Sequence, residues 1–388
     1  MGNERKPWVR RVSNEASSDR GAILRFGAAY RVLQEAIAAR AFPGCAFGVL
    51  VGFGAAKKVA LHDALGRFTY EDKASAVTPN TVYDVASLTK VAATTAAAML
   101  LNQRGRLDLD APVGELLPGF VEGRAAEDAA RRVTVKHLLA HNSGLPGYVE
   151  LFRAAATPKA LLEACMRLPV GSEPGERAEY SDPGFILLGK ALETVMREEE
   201  VGSWVQREVF GPLEMMATGF RPEPAVRDAI PPTEEDVTFR HRRIQGEVQD
   251  ENAWVLGGVA GHAGLFSNVE DLLRFGGAIL DAARVGRNRE KGTQLFEQTV
   301  VDRFAERQGP AGSSRALGWD TPSEISSTGK RFSARSIGHL GYTGCSLWID
   351  LDAAVAIVLL TNRTWPDRSC QLIKQVRPAF HDAIREAL

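Results

Sequence analysis

A serine and a lysine three residues apart open a long apolar stretch of the chain. Val85-Ala86-Ser87-Leu88-Thr89-Lys90-Val91 runs on through Met99, Leu100 and Leu101. Read as a helix, this spacing puts the Ser87 hydroxyl in the first turn and the Lys90 amine on the same face. A serine hydroxyl is a weak nucleophile until a neighbour takes its proton, and a lysine can do so only where desolvation or a second cation lowers its pKa. The helix N-terminus adds free N–H groups and a positive field where an oxyanion would develop. The spacing alone is not diagnostic, because a chain this long meets it by chance. Ser327-Thr328-Gly329-Lys330 is a second copy, set in a polar Ser/Gly-rich stretch that reads as a loop.

The elements that must position such a pair follow from periodicity. After a charged head over 1–21, expected to be disordered, Ala22 to Ala39 carries Ile23, Phe26, Tyr30, Leu33 and Ile37 at helical spacing. Pro43-Gly44 ends it. Cys45 to Gly52 and Lys58 to Tyr70 then read as a hairpin. Gly52-Phe53-Gly54 lacks the third glycine and the following helix that a dinucleotide loop requires. Gly105 closes the Ser87 helix. From Leu107 to about Thr299 helices and loops dominate. Val133 to Pro146 reads as a helix with His137 and His141 at i, i+4, a spacing that could hold zinc, but no glutamate follows His137. Tyr180-Ser181-Asp182 sits in a Gly/Pro-rich loop before a helix at Phe185 to Met196, and 221–251 reads as a polar surface excursion. Gly257 to Gly264 is dense in glycine, and Val269 to Leu280 is helical. Strand patterns return at Gly338 to Gly341, Cys345 to Leu351 and Ala354 to Thr361, with a closing helix over Cys370 to Leu388.

Strands at both ends with helices between predict an α+β fold: a central antiparallel sheet flanked by N- and C-terminal helices, built from 22–106 and 300–388, with a mostly helical domain inserted over 107–299. The 388 residues are 45% hydrophobic, enough for a large core. With 47 basic and 48 acidic residues well mixed, net charge is −1, which offers no electrostatic footprint for nucleic acid or an anionic membrane. Arg240-His241-Arg242-Arg243 reads as a solvated loop. The four cysteines, Cys45, Cys165, Cys345 and Cys370, lie far apart and read as free, mostly buried thiols. The head has no secretory apolar core and no run reaches a membrane span, so the expected place is the cytoplasm, or the periplasm if a leader has been removed. A monomer acting on a small molecule is the default expectation, without metal or cofactor.

Ser87-Leu88-Thr89-Lys90, Tyr180-Ser181-Asp182 and His339-Leu340-Gly341 followed by Tyr342-Thr343-Gly344 stand in an order that resembles the serine penicillin-recognising superfamily. The nearest branch is the class C β-lactamases with related D,D-carboxypeptidases, D-aminopeptidases and β-lactamase-like carboxylesterases. Thr134 to Pro146 is similar to that family's T-x-x-H-L-L-x-H-x-S-G-L-P, and Ala263 to Phe275 to its G-G-L-x-S-x-x-x-D-L-x-R-F, with alanine for the first glycine. The resemblance implies the β-lactamase/transpeptidase-like fold, with the site at the junction of sheet and helical insertion. It implies that Ser87 is acylated, that Lys90 is its proton-transfer partner, and that Tyr180 is a phenolic base held near ionisation by the cation. It makes the Ser87 and Tyr342 N–H groups the oxyanion hole and puts Asp182, His339, Gly341 and Thr343 at the substrate.

Two departures bear on substrate. His339 replaces the usual lysine and is neutral near pH 7, which weakens the pull on an anionic β-lactam. Asp182 replaces the usual asparagine and can only accept hydrogen bonds, which disfavours anions and could welcome an amine. The expected activity is hydrolysis of a small amide or ester, β-lactam or D-alanyl-peptide-like, through an acyl-enzyme. A carboxylesterase or D-aminopeptidase on the same fold is the alternative. From a different class stand a penicillin-binding sensor that stays acylated and an inactive scaffold, against which the intact Ser87, Lys90 and Tyr180 argue. A Ser-His-Asp hydrolase is disfavoured by the lack of a G-x-S-x-G elbow. Asp250, His262 and Tyr148 are secondary candidates for lining the pocket.

Overall fold

The computed structural model describes residues 20–283 and 294–388, so most of the head expected over 1–21 lies outside the described residues. The strands are β1 (Gly44–Val51), β2 (Lys58–Gly66), β3 (Tyr83–Asp84), β4 (Gly219–Phe220), β5 (Glu234–Asp236), β6 (Arg242–Ile244), β7 (Leu265–Ser267), β8 (Ser336–Leu340), β9 (Ser346–Asp350) and β10 (Val355–Thr361). Five form one antiparallel sheet in the order β2-β1-β10-β9-β8. The N-terminal hairpin is thus completed by the last third of the chain. Cys45 lies opposite Thr361 and Val51 opposite Val355.

Period-2 alternation sorts the two faces of this sheet. Cys45, Phe47 and Val49 of β1, with Val355, Ile357 and Leu359 of β10, face Tyr30 and Leu33 of helix Gly27–Ala38 and Phe380 and Ile384 of helix Ile373–Ala387. The intervening Ala46, Leu50, Ala356, Val358 and Leu360 belong to the larger core on the other face, with Leu272, Phe275 and Ile279 of helix Val269–Ala283. Gly48 of β1 lets that helix approach closely, since a Cβ there would meet Val269 Cγ1 at 2.5 Å. Helix Val269–Ala283 therefore packs on the sheet, although it falls within the range expected for the helical insertion.

The chain behind Ser87 is central to the larger core. Val91 to Leu101 is buried on every side, as expected for a helix apolar all round. Its first turns, Lys90–Thr95, are wound as a π-helix before α-helix continues over Ala96–Gln103, and such widened turns cluster at functional sites. The expected N-terminal helix breaks at Phe26 into Arg20–Arg25 and Gly27–Ala38. The expected helix over Val133 to Pro146 shrinks to Val135–Leu139. Residues 221–251 are not merely a surface excursion: they carry the β5–β6 hairpin, a short helical turn at Pro224–Ala229 and a buried Arg240–Asp236 ion pair of 2.9 Å, so Arg240 is not part of a solvated basic loop. Cys45, Cys165 and Cys345 are buried free thiols and Cys370 is half-buried. Among the described residues no helix is long and apolar enough to cross a membrane.

Candidate active site

Ser87 stands on a tight elbow. Asp84 braces it: one carboxylate oxygen accepts the Ala86 N–H at 2.8 Å and the other the Gln249 N–H at 2.7 Å. Burial pushes this carboxyl up to about 6. Ala86 has φ +48°, an uncommon conformation for a residue with a side chain, so backbone strain sits immediately before the serine. Thr89 holds the next turn, donating to the Ala86 carbonyl at 2.6 Å and accepting the Leu265 N–H at 3.1 Å. The small sheet β3-β7-β4 anchors the approach to the elbow.

The residues of the first two motifs, Ser87, Lys90, Tyr180 and Asp182, converge here. Lys90 is fully buried, and its ammonium donates to Ser87 Oγ at 3.0 Å, Asp182 Oδ1 at 2.7 Å and the His262 carbonyl at 3.1 Å. Tyr180 donates its phenolic proton to Ser87 Oγ at 2.8 Å. Asp182 opens helix Asp182–Val195, and Ser181 caps that helix by accepting the Gly184 N–H at 3.0 Å, which fixes where the carboxylate meets the lysine. Burial alone would lower the Lys90 pKa, but the Asp182 charge and Tyr180 outweigh it and hold the amine above its usual range. Burial of the Tyr180 hydroxyl outweighs the opposing Lys90 charge, Asp182 adds to it, and the phenol is raised. The expectation that the cation holds Tyr180 near ionisation is therefore corrected. Asp182, which the resemblance puts at the substrate, bonds Lys90 through its Oδ1.

The 339–343 turn is stitched to the elbow from the other side. Gly341 passes so close that a Cβ would meet the Val85 carbonyl at 2.4 Å. Thr343, expected at the substrate, is instead fully buried, and its hydroxyl donates to the Asp84 carbonyl at 2.8 Å. Arg377, reaching in from the last helix, donates to the Gly341 and Cys345 carbonyls at 2.7 and 2.8 Å. Tyr342 is left exposed, with the Arg363 guanidinium 4.4 Å from its ring centroid and bonded to its carbonyl at 2.7 Å. Neither the Ser87 nor the Tyr342 N–H donates to another described residue. His339 is buried, and burial with the Lys90 and Arg315 charges holds it well below the usual histidine range. Its Nδ1 donates to the Leu340 carbonyl at 2.8 Å, leaving an Nε2 lone pair without a described partner.

The remaining candidates form an outer layer. His262 Nε2 donates to Asp250 Oδ1 at 2.8 Å, and Asp250 also caps helix Glu251–Val255 through the Ala253 N–H at 2.7 Å. Burial opposes the Asp250 charge, but His262 and the cap bring the carboxyl down to about 2. Tyr148 is exposed nearby, its phenol raised by burial and by Asp250 and Glu251. His137 and His141 do not form a metal pair: His137 closes a capping box with Thr134, while the His141 ring lies 4.7 Å from Tyr180. Among the described residues no group of three or more His, Cys, Asp or Glu side chains is placed to hold a metal. Arg315 was invisible from the sequence, since no motif contains it. Its guanidinium lies 5.2 Å from the Tyr180 ring centroid and 3.6 Å from Asp320.

Comparison with known proteins adds a lineage to this geometry. The family model described as Beta-lactamase matches residues 31–377. A protein of Salmonella typhi named "Putative D-alanyl-D-alanine carboxypeptidase" is 30% identical over 314 residues, covering 74% of this chain and 70% of that protein. The fold is similar to EstCE1, described as a hydrolase with promiscuous acyltransferase activity, at TM-score 0.72 and 19% identity over 94% of this chain and 100% of that one. It is also similar to a penicillin-binding protein homologue from Caulobacter crescentus, at TM-score 0.71 and 17% identity over 94% and 98%.

Proposed function

The chain belongs to the beta-lactamase family, and from that premise we propose that this serine hydrolase cleaves a small amide or ester through an acyl-enzyme on Ser87. The observation that carries the assignment is the convergence of two proton-bearing groups, Lys90 at 3.0 Å and Tyr180 at 2.8 Å, on one serine oxygen at a strained elbow.

In the cycle we infer, Tyr180 acts in its phenolate form and takes the Ser87 proton as Oγ bonds to the substrate carbonyl carbon. The developing oxyanion is received by the Ser87 and Tyr342 N–H groups. Tyr180 returns the proton to the leaving nitrogen or oxygen as its bond to carbon breaks. Water then attacks the acyl carbon, releasing the acid and restoring the Ser87 hydroxyl. Lys90, held charged by Asp182, stabilises the phenolate. Because the phenol is raised, the phenolate is a minor species at neutral pH. The kcat/KM should accordingly climb with pH across the neutral range, at most tenfold per unit.

A neutral ester is the favoured substrate class. His339 carries no charge, and the Lys90 charge is already matched by Asp182 at 2.7 Å, so neither of these two groups offers an anion an uncompensated charge. Intact mass spectrometry with p-nitrophenyl acetate and with benzylpenicillin, on wild type and Ser87→Ala, tests both levels. A serine-dependent acetyl adduct that turns over supports the ester reading. A transient penicilloyl adduct moves the substrate to β-lactams, and a persistent one makes the protein a penicillin-binding sensor. No adduct with either overturns the assignment.

A further inference from the structure

His141 ends helix Val135–Leu139 in a conformation that usually belongs to glycine. It has φ +54°, its N–H bonds to the Leu138 carbonyl at 3.3 Å, and the Asn142 N–H bonds to the His137 carbonyl at 3.0 Å. This is the paired bonding of a Schellman motif, with His141 at the left-handed position where glycine or asparagine is favoured. Stopping the helix therefore does not explain an imidazole.

The ring is explained by what it touches. The His141 carbonyl accepts the Glu179 N–H at 2.8 Å, and its Nδ1 accepts the Ser181 N–H at 3.0 Å. Between those two peptides lies Tyr180, whose ring centroid is 4.7 Å from that of His141. The imidazole is also stacked on Phe185, with ring centroids 4.8 Å apart. One residue thus grips the peptides before and after Tyr180 and also packs on its ring. The accepting Nδ1 requires a neutral imidazole with its proton on Nε2. Burial, aided by the Arg315 and Lys90 charges, holds His141 well below the usual histidine range and keeps it in that form.

We propose that His141 is a positioning residue for the reaction, holding the Tyr180 hydroxyl on Ser87 through the Glu179 and Ser181 peptides and the Tyr180 ring. The proposal rests on the reading of Tyr180 as the proton acceptor for Ser87. It predicts a graded loss. His141→Asn keeps the left-handed conformation and, through Oδ1, an acceptor for the Ser181 N–H, but loses the ring. His141→Gly keeps only the helix stop.

The test is the rate constant of Ser87 acetylation by p-nitrophenyl acetate, followed by intact mass so that the fraction of folded protein does not enter. We expect about tenfold slowing in His141→Asn and about a hundredfold in His141→Gly, borne by kcat with KM little changed, as displacement of a catalytic group produces. The pH dependence of acetylation should flatten in His141→Gly. Wild-type rate constants and pH dependence in both variants would overturn the proposal, because a merely structural histidine is replaced by glycine at this position without loss. If the wild type itself forms no Ser87-dependent adduct, the functional reading falls and takes this proposal with it.

Discussion

The reactive centre and the 339–343 turn are each marked by a short motif, but they deliver different kinds of atom. At the centre the side chains named by the motif face one another: Ser87, Lys90 and Tyr180 share one oxygen within 3.0 Å. At the turn the named side chains mostly face away. Thr343 is buried against Asp84, Gly341 is required by its approach to Val85, and His339 bonds the neighbouring Leu340 carbonyl. What the turn presents is backbone, held by Arg363 and Arg377. A motif can therefore specify chemistry in one place and the delivery of a peptide group in another, and substitutions should separate the two.

The sharpest separation comes from Ser87→Ala. Ester turnover should fall at least ~10⁴-fold, as expected when the nucleophile is removed. Stability should change by under ~0.5 kcal/mol, because Ser87 lies at the mouth of the core. Kinetics beside urea unfolding checks both halves. Tyr180→Phe follows, with kcat/KM reduced roughly 10²–10⁴-fold, the range for loss of a general base. Its ring packing on His141 is retained, so unfolding should move little. A variant within threefold of wild type would remove Tyr180 from the proton path.

Thr343→Val tests the other side of the comparison. The Asp84 carbonyl loses its donor within the core, which costs about 1–3 kcal/mol. Activity should drop only about tenfold, as the turn shifts against the elbow. Loss of activity with unchanged stability would instead return the Thr343 hydroxyl to the substrate, where the family resemblance put it.

The same contrast explains what could be read from the sequence. The strands of the sheet were legible, because Cys45 to Val51 and Val355 to Thr361 are short apolar runs bounded by turn signals, but the runs are continuous and only packing shows which residues face which core. Ser87, Lys90 and Tyr180 were legible through motif spacing and family resemblance. The holders were not. Arg377 enters the Gly341 turn from the last helix, Asp84 braces the elbow through Gln249, and His141 reaches Tyr180 across 39 positions of sequence. Such contacts depend on tertiary placement and leave no periodic trace. Helix Val135–Leu139 was overestimated for a related reason: the apolar pattern continues through Leu145, but the left-handed turn at His141 redirects the chain to serve the Tyr180 loop.

Asp182 joins the two regions, since its resemblance-based role was substrate contact and its observed partner is Lys90. Its carboxylate raises both the Lys90 and the Tyr180 pKa, in the first by stabilising the ammonium and in the second by repelling the phenolate. Asp182→Asn removes that charge while preserving the shape of the side chain. Tyr180 should then ionise at lower pH, moving the rising limb of kcat/KM toward acid. Lys90, still buried but without its counter-charge, should lose its proton more readily, so a falling limb should enter on the alkaline side and turn the profile into a bell. At pH 7, below both limbs, kcat/KM should therefore rise, because the phenolate fraction is larger while Lys90 is still charged. A profile that keeps its wild-type limbs while KM for an amine-bearing ester rises would place the carboxylate at the substrate after all.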